Sequence, residues 1–185
     1  MKVAITFTSQ SSAEGVNELI KNIGKTGAKA IKIQADLRQV EAPEKVIQAT
    51  RSAFGDHVDI LVSNAGCELT KRLEDVSVED FSYVYDLNVR AVLLMSKAVL
   101  PYLHRPGRIV NMSSVGARTG LAGLSLYCSS KAAIEGLTRC LAAELGPKGH
   151  TVNAVEPGPV PTDMLKGIQK DIVELQKKST LPRTD

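Results

Sequence analysis

The alternation of two kinds of segment constrains the fold of this chain more than any other feature. Five short runs rich in Val and Ile read as strands, and longer amphipathic stretches separate them. The predicted strands cover residues 3–8, 29–35, 58–65, 108–114 and 151–157. Strand and helix in turn, with short connections, favour right-handed crossovers. The sequence therefore predicts an α/β fold with a doubly wound parallel sheet, whose ligands bind at the carboxyl ends of the strands.

Residues with capping-box spacing mark the starts of two predicted helices. Ser11 and Glu14 precede the first helix, which is expected to end near Gly24, and Ser77 and Asp80 have the same relation further along the chain. In such a box each residue satisfies a backbone amide that the first helical turn leaves free. Both pairs are therefore expected to begin a helix.

Composition indicates one soluble globular domain. The chain has 185 residues, of which 43% are hydrophobic and 23% charged. The longest apolar run, residues 91–95, is far shorter than the roughly 20 residues of a membrane span, and no secretory signal is recognisable, so a cytoplasmic protein is expected. We predict a domain over residues 1–165 and a polar C-terminal tail over residues 166–185.

Charge and cysteine content exclude several classes of partner. The net charge of +3 is spread along the chain without a basic block, which argues against nucleic acid as a partner. Cys67, Cys128 and Cys140 match neither a disulfide framework nor a zinc site, so free thiols are expected. The three histidines lie far apart, and no metal site is expected.

A tyrosine and a lysine at helical spacing raise the question of function. Tyr127 lies four residues before Lys131, a spacing that also suits two polar residues on a solvated helix face. Ser114 lies 13 residues before Tyr127, at the carboxyl end of a predicted strand. A hydroxyl and a phenol placed there can bond one carbonyl oxygen. A nearby ammonium favours the phenolate, so Lys131 is expected to lower the pKa of Tyr127 from about 10.

These residues resemble the active site of the short-chain dehydrogenase/reductase family. Three further segments are similar to family motifs and follow in family order: "SNAG" at 63–66, "LNV" at 87–89 and "PGPVPTDM" at 157–164. The resemblance covers residues 3–164. It implies a Rossmann-like fold and an oxidoreductase that uses a nicotinamide cofactor.

The resemblance assigns a catalytic role to four residues. It implies that Tyr127 is the general acid or base, Ser114 orients the carbonyl, Lys131 lowers the pKa of the tyrosine and anchors the ribose, and Asn88 relays protons through water. For Asn88 the alternative is a buried amide that satisfies backbone groups. Ser113 faces the other side of the pleat and is expected to be structural.

Five more residues are implied as cofactor contacts. Asp36 would accept from the adenine amine, Asn64 would meet the ribose, and Val160 and Thr162 would hold the nicotinamide. Lys97 matches a basic position of some family members, and a solvated helical lysine is the alternative. Without the resemblance, Asp36 would be a turn or cap residue and Thr162 a helix N-cap.

The end of the first predicted strand bears on the choice of cofactor. An acidic residue there would bond the ribose 2′-hydroxyl of NAD, and none is present. Thr8, Ser9 and Ser12 offer hydroxyls to a 2′-phosphate. The sequence therefore predicts NADP(H).

Two segments of the family pattern have no counterpart in this sequence. The first strand with its glycine-rich turn, and the last strand, are missing, so the chain is expected to be truncated at both ends. The missing first strand would leave a gap between the strands of residues 3–8 and 58–65. Those two strands could pair directly, water or a partner segment could satisfy them, or the chain could fold poorly.

Two functions follow from these features. The first is an NADP-dependent carbonyl reductase or alcohol dehydrogenase for a ketone, quinone, 3-oxoacyl or polyketide-like substrate. The alternative is a catalytically impaired family member that serves as an interaction or dimerisation module. In either case the helices near 78–103 and 126–145 are expected to form a homodimer or homotetramer.

Overall fold

The computed structural model describes residues 1–162, and every pair of hydrogen-bonded strands in it is parallel. The strands are β1 (Lys2–Phe7), β2 (Lys29–Gln34), β3 (Val58–Ser63), β4 (Leu103–Met112) and β5 (Thr151–Val155). The helices are α1 (Ala13–Lys25), α2 (Ala42–Phe54), α3 (Val78–Tyr85), α4 (Ala91–Val99), α5 (Gly116–Thr119) and α6 (Ser125–Leu145), with a π-helical segment at Asp86–Arg90. This order confirms the predicted doubly wound α/β fold.

The strands form two sheets rather than one. β1 pairs with β2 in the first sheet, and β3, β4 and β5 pair in that order in the second. β1 and β3, which flank the expected gap, are not hydrogen-bonded to each other. Direct pairing across the gap, one of the three alternatives, is therefore not what the structure has.

Helices α2 and α4 connect the two sheets. α2 follows β2 and packs against α4, which in turn packs on β3. Val46 and Ile47 of α2 and Val99 of α4 are buried in the main apolar core, together with Ile109 at the centre of β4. Because this core lies between helices and strands from both sheets, it fixes the position of one sheet relative to the other.

Strand β4 begins earlier than its sequence predicts. It starts at Leu103, which lies opposite Val58, and regular pairing resumes where Arg108 lies opposite Ile60. Between these two pairs the chain advances five residues along β4 but only two along β3, so a bulge interrupts the ladder. The Gly and Pro residues in this stretch hide the strand from a search for Val and Ile runs.

The two predicted capping boxes have different outcomes. Ser77 accepts from the amide of Asp80 at 3.1 Å, and the Asp80 carboxylate accepts from the amide of Ser77 at 2.8 Å, which confirms the box at α3. The box at Ser11 and Glu14 is wrong. A 3₁₀ turn over Gln10–Ser12 precedes α1, and the Ser11 hydroxyl bonds that of Ser9 at 2.7 Å instead.

Two further predictions concern the C-terminal tail and membrane-spanning helices. The predicted tail over residues 166–185, and the last three residues of the predicted domain, lie outside the described residues. Within residues 1–162, no helix combines the length and the apolar character that crossing a bilayer requires.

Candidate active site

The carboxyl end of β4 and the first turns of α6 bring Ser114 and Tyr127 together. A Cβ atom at Gly116, which lies between them, would be 3.4 Å from Ser114 Oγ and 3.6 Å from Tyr127 Cε1. Both side chains therefore border the same small space, as the sequence predicts. The Gly116 amide donates to Ser114 Oγ at 3.1 Å, which leaves the Ser114 hydroxyl hydrogen available to another acceptor.

Two polar contacts fix α6 on β4 in this position. The Asn111 amide nitrogen donates to Thr138 Oγ1 at 3.0 Å, and the Ser113 hydroxyl donates to the Lys131 carbonyl at 3.0 Å. Both contacts are buried, where an unmade hydrogen bond would be costly. Ser113 therefore has the structural role predicted for it, and its neighbour Ser114 is the serine that faces Tyr127.

The electrostatics of Tyr127 differ from the expectation. Burial raises the pKa of the phenol, the nearby Ser114 hydroxyl acts to lower it, and the negative charge of Glu68 adds to the increase. The net direction is upward, so the phenol stays protonated at neutral pH. The predicted lowering of this pKa by Lys131 is not seen in the structure.

Lys131 is directed to the backbone of β4 rather than to the phenol oxygen. Its Nζ donates to the Met112 carbonyl at 2.8 Å and lies 5.7 Å from the centre of the Tyr127 ring. The side chain is buried, and burial lowers its pKa from 10.5 to about 8, with the Cys67 thiol acting in the opposite direction. Lys131 is therefore a buried amine whose pKa is close to neutral pH, and it lies beside the tyrosine.

Gly66 makes room for this cation, a role that the sequence analysis missed. A Cβ atom at Gly66 would lie 3.3 Å from Asn88 Oδ1 and 3.4 Å from Lys131 Nζ. Any side chain there would press on both groups. The only sequence signal was the position of Gly66 at the end of "SNAG", directly after a strand.

Asn88 is fully buried in the π-helical segment and makes three hydrogen bonds. Its Oδ1 accepts from the Cys67 amide at 2.9 Å, and its Nδ2 donates to the Cys67 carbonyl at 2.9 Å and to Ser130 Oγ at 3.0 Å. These bonds match the alternative in which the amide satisfies backbone groups. The relay role stays a prediction, and one lone pair of Oδ1 remains for it.

Glu68 and Cys67 are two further groups near the site that the sequence analysis missed. Burial raises the pKa of the Glu68 carboxyl, although a hydrogen bond from Thr70 at 3.2 Å partly offsets this effect. Burial also raises the pKa of the Cys67 thiol. Both residues lie in the loop after β3, which ends at Ser63, and that position was the available signal.

Asp36 lies just beyond the end of β2 and is held by Arg38. Its Oδ1 accepts from the Arg38 backbone amide at 3.0 Å and from the Arg38 side chain at 3.1 Å. Burial acts to raise its pKa, but the two hydrogen bonds and the positive charge of Arg38 lower it overall. Arg38 also stacks on the ring of Tyr83 at 4.8 Å, so the carboxylate is ionised and fixed in place.

Hydroxyl groups gather beyond the carboxyl end of β1. Ser9 Oγ lies 2.7 Å from Ser11 Oγ and 3.1 Å from Ser12 Oγ, and all three side chains are exposed. Asn64 follows the end of β3 and lines the cleft between the two sheets. Each of these polar groups lies beyond the carboxyl end of its own strand, which is where parallel α/β folds bind their ligands.

The three other predicted cofactor contacts are exposed. Val160 and Thr162 lie in the loop after β5, which is tied to the site by a hydrogen bond from the Val115 amide to the Pro157 carbonyl at 3.2 Å. Lys97 is on the solvent side of α4. Its position matches the alternative of a solvated helical lysine.

The fold and the site together define a class of protein. A hydroxyl and a phenol border one space at the end of a parallel strand, with a buried ammonium beside the phenol ring. That set of groups is suited to moving a proton at a carbonyl or alcohol oxygen on a fold that holds nucleotides at the same edge. This is the arrangement of a nucleotide-dependent oxidoreductase.

The chain belongs to the short chain dehydrogenase family, whose model matches residues 2–173. Among curated relatives, a dehydrogenase from Cochliobolus heterostrophus is 48% identical over 169 residues, which are 90% of this chain and 73% of that protein. A hydroxynaphthalene reductase from Aspergillus fumigatus is 45% identical over 83% of this chain and 56% of that protein. The chain thus spans only part of these relatives.

Solved structures agree with the family assignment. A dehydrogenase/reductase from Sinorhizobium meliloti superposes with a TM-score of 0.88 and 38% identity, covering 96% of this chain and 69% of that one. A short chain dehydrogenase from Burkholderia cenocepacia, in complex with NADP, has a TM-score of 0.88 and 40% identity, covering 96% of this chain and 71% of that one. The relative placement of the two sheets is thus one that related proteins also have.

Proposed function

We propose that this protein is an NADP-dependent oxidoreductase that transfers a hydride between a nicotinamide cofactor and a ketone or secondary alcohol. The observation that carries the proposal is the convergence of Ser114 and Tyr127 on one space, with the buried Lys131 beside them. When bound, the cofactor supplies the hydride. The residues of this chain hold the reacting oxygen and move its proton.

In this proposal Tyr127 is the proton donor in the direction of reduction. Its pKa is raised by burial, so the phenol carries its proton at neutral pH and can give it to the carbonyl oxygen. Ser114 orients that oxygen, because its Oγ already accepts from Gly116 and its hydrogen is free to donate. The site is therefore poised for reduction more than for oxidation.

Lys131 and Asn88 support the proton transfer. With a pKa of about 8, Lys131 is mostly charged at pH 7, and its ammonium has two N–H groups besides the one given to Met112. These groups would bond the ribose of the cofactor. The role that we propose for this ammonium is thus to hold the cofactor, and not to lower the pKa of Tyr127. Asn88, which borders Gly66 together with Lys131, would bind the water that returns a proton to the site.

The fit of the cofactor rests on groups at the carboxyl ends of the strands. Asp36 would accept from the adenine amine through Oδ2, since Oδ1 is held by Arg38. The hydroxyls of Thr8, Ser9 and Ser12 would bind the 2′-phosphate. We assign the ribose to Asn64. Further contacts are proposed for the last residues of the site: Lys97, Val160 and Thr162. NADP in the related Burkholderia structure supports this choice of cofactor.

The substrate class follows from the proton donor and from the relatives. A phenol that gives its proton to an oxygen requires a carbonyl at that position. We propose a ketone of quinone, 3-oxoacyl or polyketide-like type, and a cyclic ketone is favoured because a relative 45% identical is called a hydroxynaphthalene reductase. The substrate class is tested by measuring the reduction of a panel of cyclic and open-chain ketones, with the loss of NADPH absorbance as the signal.

Replacing the proposed proton donor tests the function itself. Tyr127→Phe keeps the ring and removes the hydroxyl, so turnover should fall by about 10²-fold or more. Tyr102→Phe is the matched control, because Tyr102 packs on Arg51, outside the site, with the guanidinium carbon 3.8 Å from its ring centre. A Tyr127→Phe protein that is folded, binds NADPH and turns over at the wild-type rate would refute the assignment.

The alternative function, an interaction or dimerisation module, is supported by exposed aromatic and apolar side chains on α3 and α4. Phe81 and Tyr85 stack with their ring centres 4.1 Å apart, and Phe81 and Leu93 are each nearly half exposed. We propose that a homodimer or homotetramer buries this surface. Sedimentation of wild type and Leu93→Glu tests this, since a surface that mediates pairing should yield monomer in the variant.

A cytoplasmic location is proposed as well, in keeping with the three free thiols.

A further inference from the structure

Glu68 belongs to a loop that lies across the start of helix α6. The loop follows β3, and its Lys71 amide donates to the Gly123 carbonyl at 2.8 Å. A Cβ atom at Gly123, two residues before α6, would lie 3.5 Å from the Thr70 side chain. This part of the loop is therefore held against the end of α6 that carries Tyr127.

The carboxylate of Glu68 acts on two groups that border the proposed reaction space. Burial is the main cause of the raised pKa of the Tyr127 phenol and of the Cys128 thiol, and the negative charge of Glu68 adds to both increases. A Cβ atom at Gly116 would lie 3.4 Å from Cys128 Sγ, as it would from Ser114 Oγ. Cys128 thus borders the same space as the phenol. Because such charge effects weaken with distance and with solvent, Glu68 lies close to a molecule bound in this space.

The carboxylate of Glu68 has no cation beside it in the part of the chain that the structure describes. The ion pairs of these residues do not include Glu68, whereas the carboxylate of Asp36 is paired with Arg38 at 3.1 Å. Burial raises the pKa of Glu68, which shows that its charged form loses solvation in this place. Since a half-buried carboxylate without a cation destabilises the folded state, a ligand explains Glu68 better than packing does.

One oxygen of this carboxylate is free to accept a hydrogen bond. Thr70 Oγ1 donates to Glu68 Oε1 at 3.2 Å, and Oε2 accepts no hydrogen bond from residues 1–162. An ionised carboxylate can accept about four hydrogen bonds, so the group that fits here is a donor. Lys131 already places a positive charge near Cys67, the residue before Glu68, and would repel a substrate ammonium. A neutral hydroxyl is therefore the donor that suits this position.

We propose that Glu68 is a specificity-determining residue whose Oε2 accepts a hydrogen bond from a hydroxyl group of the ketone substrate. The substrate is then a hydroxylated ketone, with its carbonyl at Ser114 and Tyr127 and its hydroxyl at Glu68. This role rests on the proposed oxidoreductase function, which places the carbonyl, and it narrows the substrate class. Binding supplies the half-buried carboxylate with the donor that residues 1–162 do not provide.

Pairs of substrates that differ in a single group test the proposal. Bicyclic aryl ketones with either a hydroxyl or a methoxy group at the same ring position have similar electronic effects on the carbonyl, but only the hydroxyl donates a hydrogen bond. The pair is measured at each ring position in turn, because the position that reaches Glu68 has to be found. At one or more positions, wild type should favour the hydroxyl compound by about ten-fold or more in kcat/KM. Equal values at every position would overturn the proposal.

Two variants of Glu68 and one control assign the preference to this carboxylate. Glu68→Met removes both acceptor oxygens at a similar side-chain length, so the preference for the hydroxyl compound should disappear. Glu68→Gln keeps one acceptor oxygen without the charge and should retain part of the preference. Glu74→Met is the matched control and should keep the wild-type preference, because Glu74 is exposed and pairs with Arg72 at 2.9 Å. A full preference in Glu68→Met, or an equal loss in Glu74→Met, would contradict the role of Glu68.

Binding of the same ketones, measured by calorimetry with NADP⁺ present, separates the role of Glu68 from the proposed function. NADP⁺ has no hydride to give, so a ketone binds without being reduced. Turnover without a hydroxyl preference overturns the role of Glu68 and leaves the oxidoreductase function in place. If no ketone is reduced, but wild type binds the hydroxyl compound about ten-fold more tightly and Glu68→Met does not, the function is wrong and the hydroxyl site stands. Absence of both turnover and binding refutes both.

Discussion

Burial of the Lys131 amine should make the free energy of unfolding of this protein rise with pH. Burial lowers its pKa from 10.5 to about 8 in the folded state. Between these values the unfolded chain binds more protons than the folded one, so the free energy of unfolding rises with pH. The difference in pKa corresponds to about 3 kcal/mol in total, of which about 2 kcal/mol falls between pH 7 and 10.

The assay compares chemical unfolding of wild type and Lys131→Met at several pH values. Cys67 and Cys128 also titrate here, with pKa values raised by burial and hence the opposite effect on stability, so the difference between the two proteins is the quantity to measure. That difference should shift by about 2 kcal/mol in favour of wild type from pH 7 to 10. Lys21→Met, on the exposed face of α1, is the control and should follow wild type. A pH-independent difference for Lys131→Met would refute the argument.

Three other predictions concern the site and a helix cap. Turnover in the direction of reduction should decline as pH rises above about 8, because Lys131 loses its charge there. Lys131→Arg should move this decline to higher pH. A pH profile of kcat/KM that is the same in both proteins would contradict the role of the charge. Gly66→Ala should weaken NADPH binding measured by fluorescence, because the new methyl displaces Lys131 and Asn88, and wild-type affinity would show that both adjust freely. Ser77→Ala should lower the free energy of unfolding by about 1 kcal/mol in a urea titration, and no loss would mean that the cap does not stabilise α3.

The parts of the fold predicted most accurately depend on neighbours in sequence. The cap at Ser77 and Asp80 spans three residues, and its two hydrogen bonds form as expected. The strands were found because runs of Val and Ile are local. The start of β4 at Leu103 was missed, since the pairing of that stretch with β3 compensates for residues that disfavour a strand. The cap at Ser11 was wrong because the Ser9 hydroxyl competes for it.

In the site, the identity of the residues was more predictable than their interactions. Ser114 and Tyr127 share one space as expected. The effect of Lys131 on the phenol was not predicted correctly, because the direction of its Nζ depends on the Met112 carbonyl, 19 residues away. Asn88 likewise forms hydrogen bonds with Cys67, 21 residues away, and with Ser130, 42 residues away. No local sequence pattern predicts such contacts.

By itself the sequence determined the parallel α/β architecture, most element boundaries and the residues gathered at the strand ends, because periodicity and capping act over a few residues. Only the tertiary structure decided that β1 and β3 do not pair across the predicted gap, that Tyr127 has a raised pKa and that Lys131 is buried. Strand pairing, desolvation and long-range hydrogen bonds depend on which distant segments come together, and their energies are set only when the chain is packed.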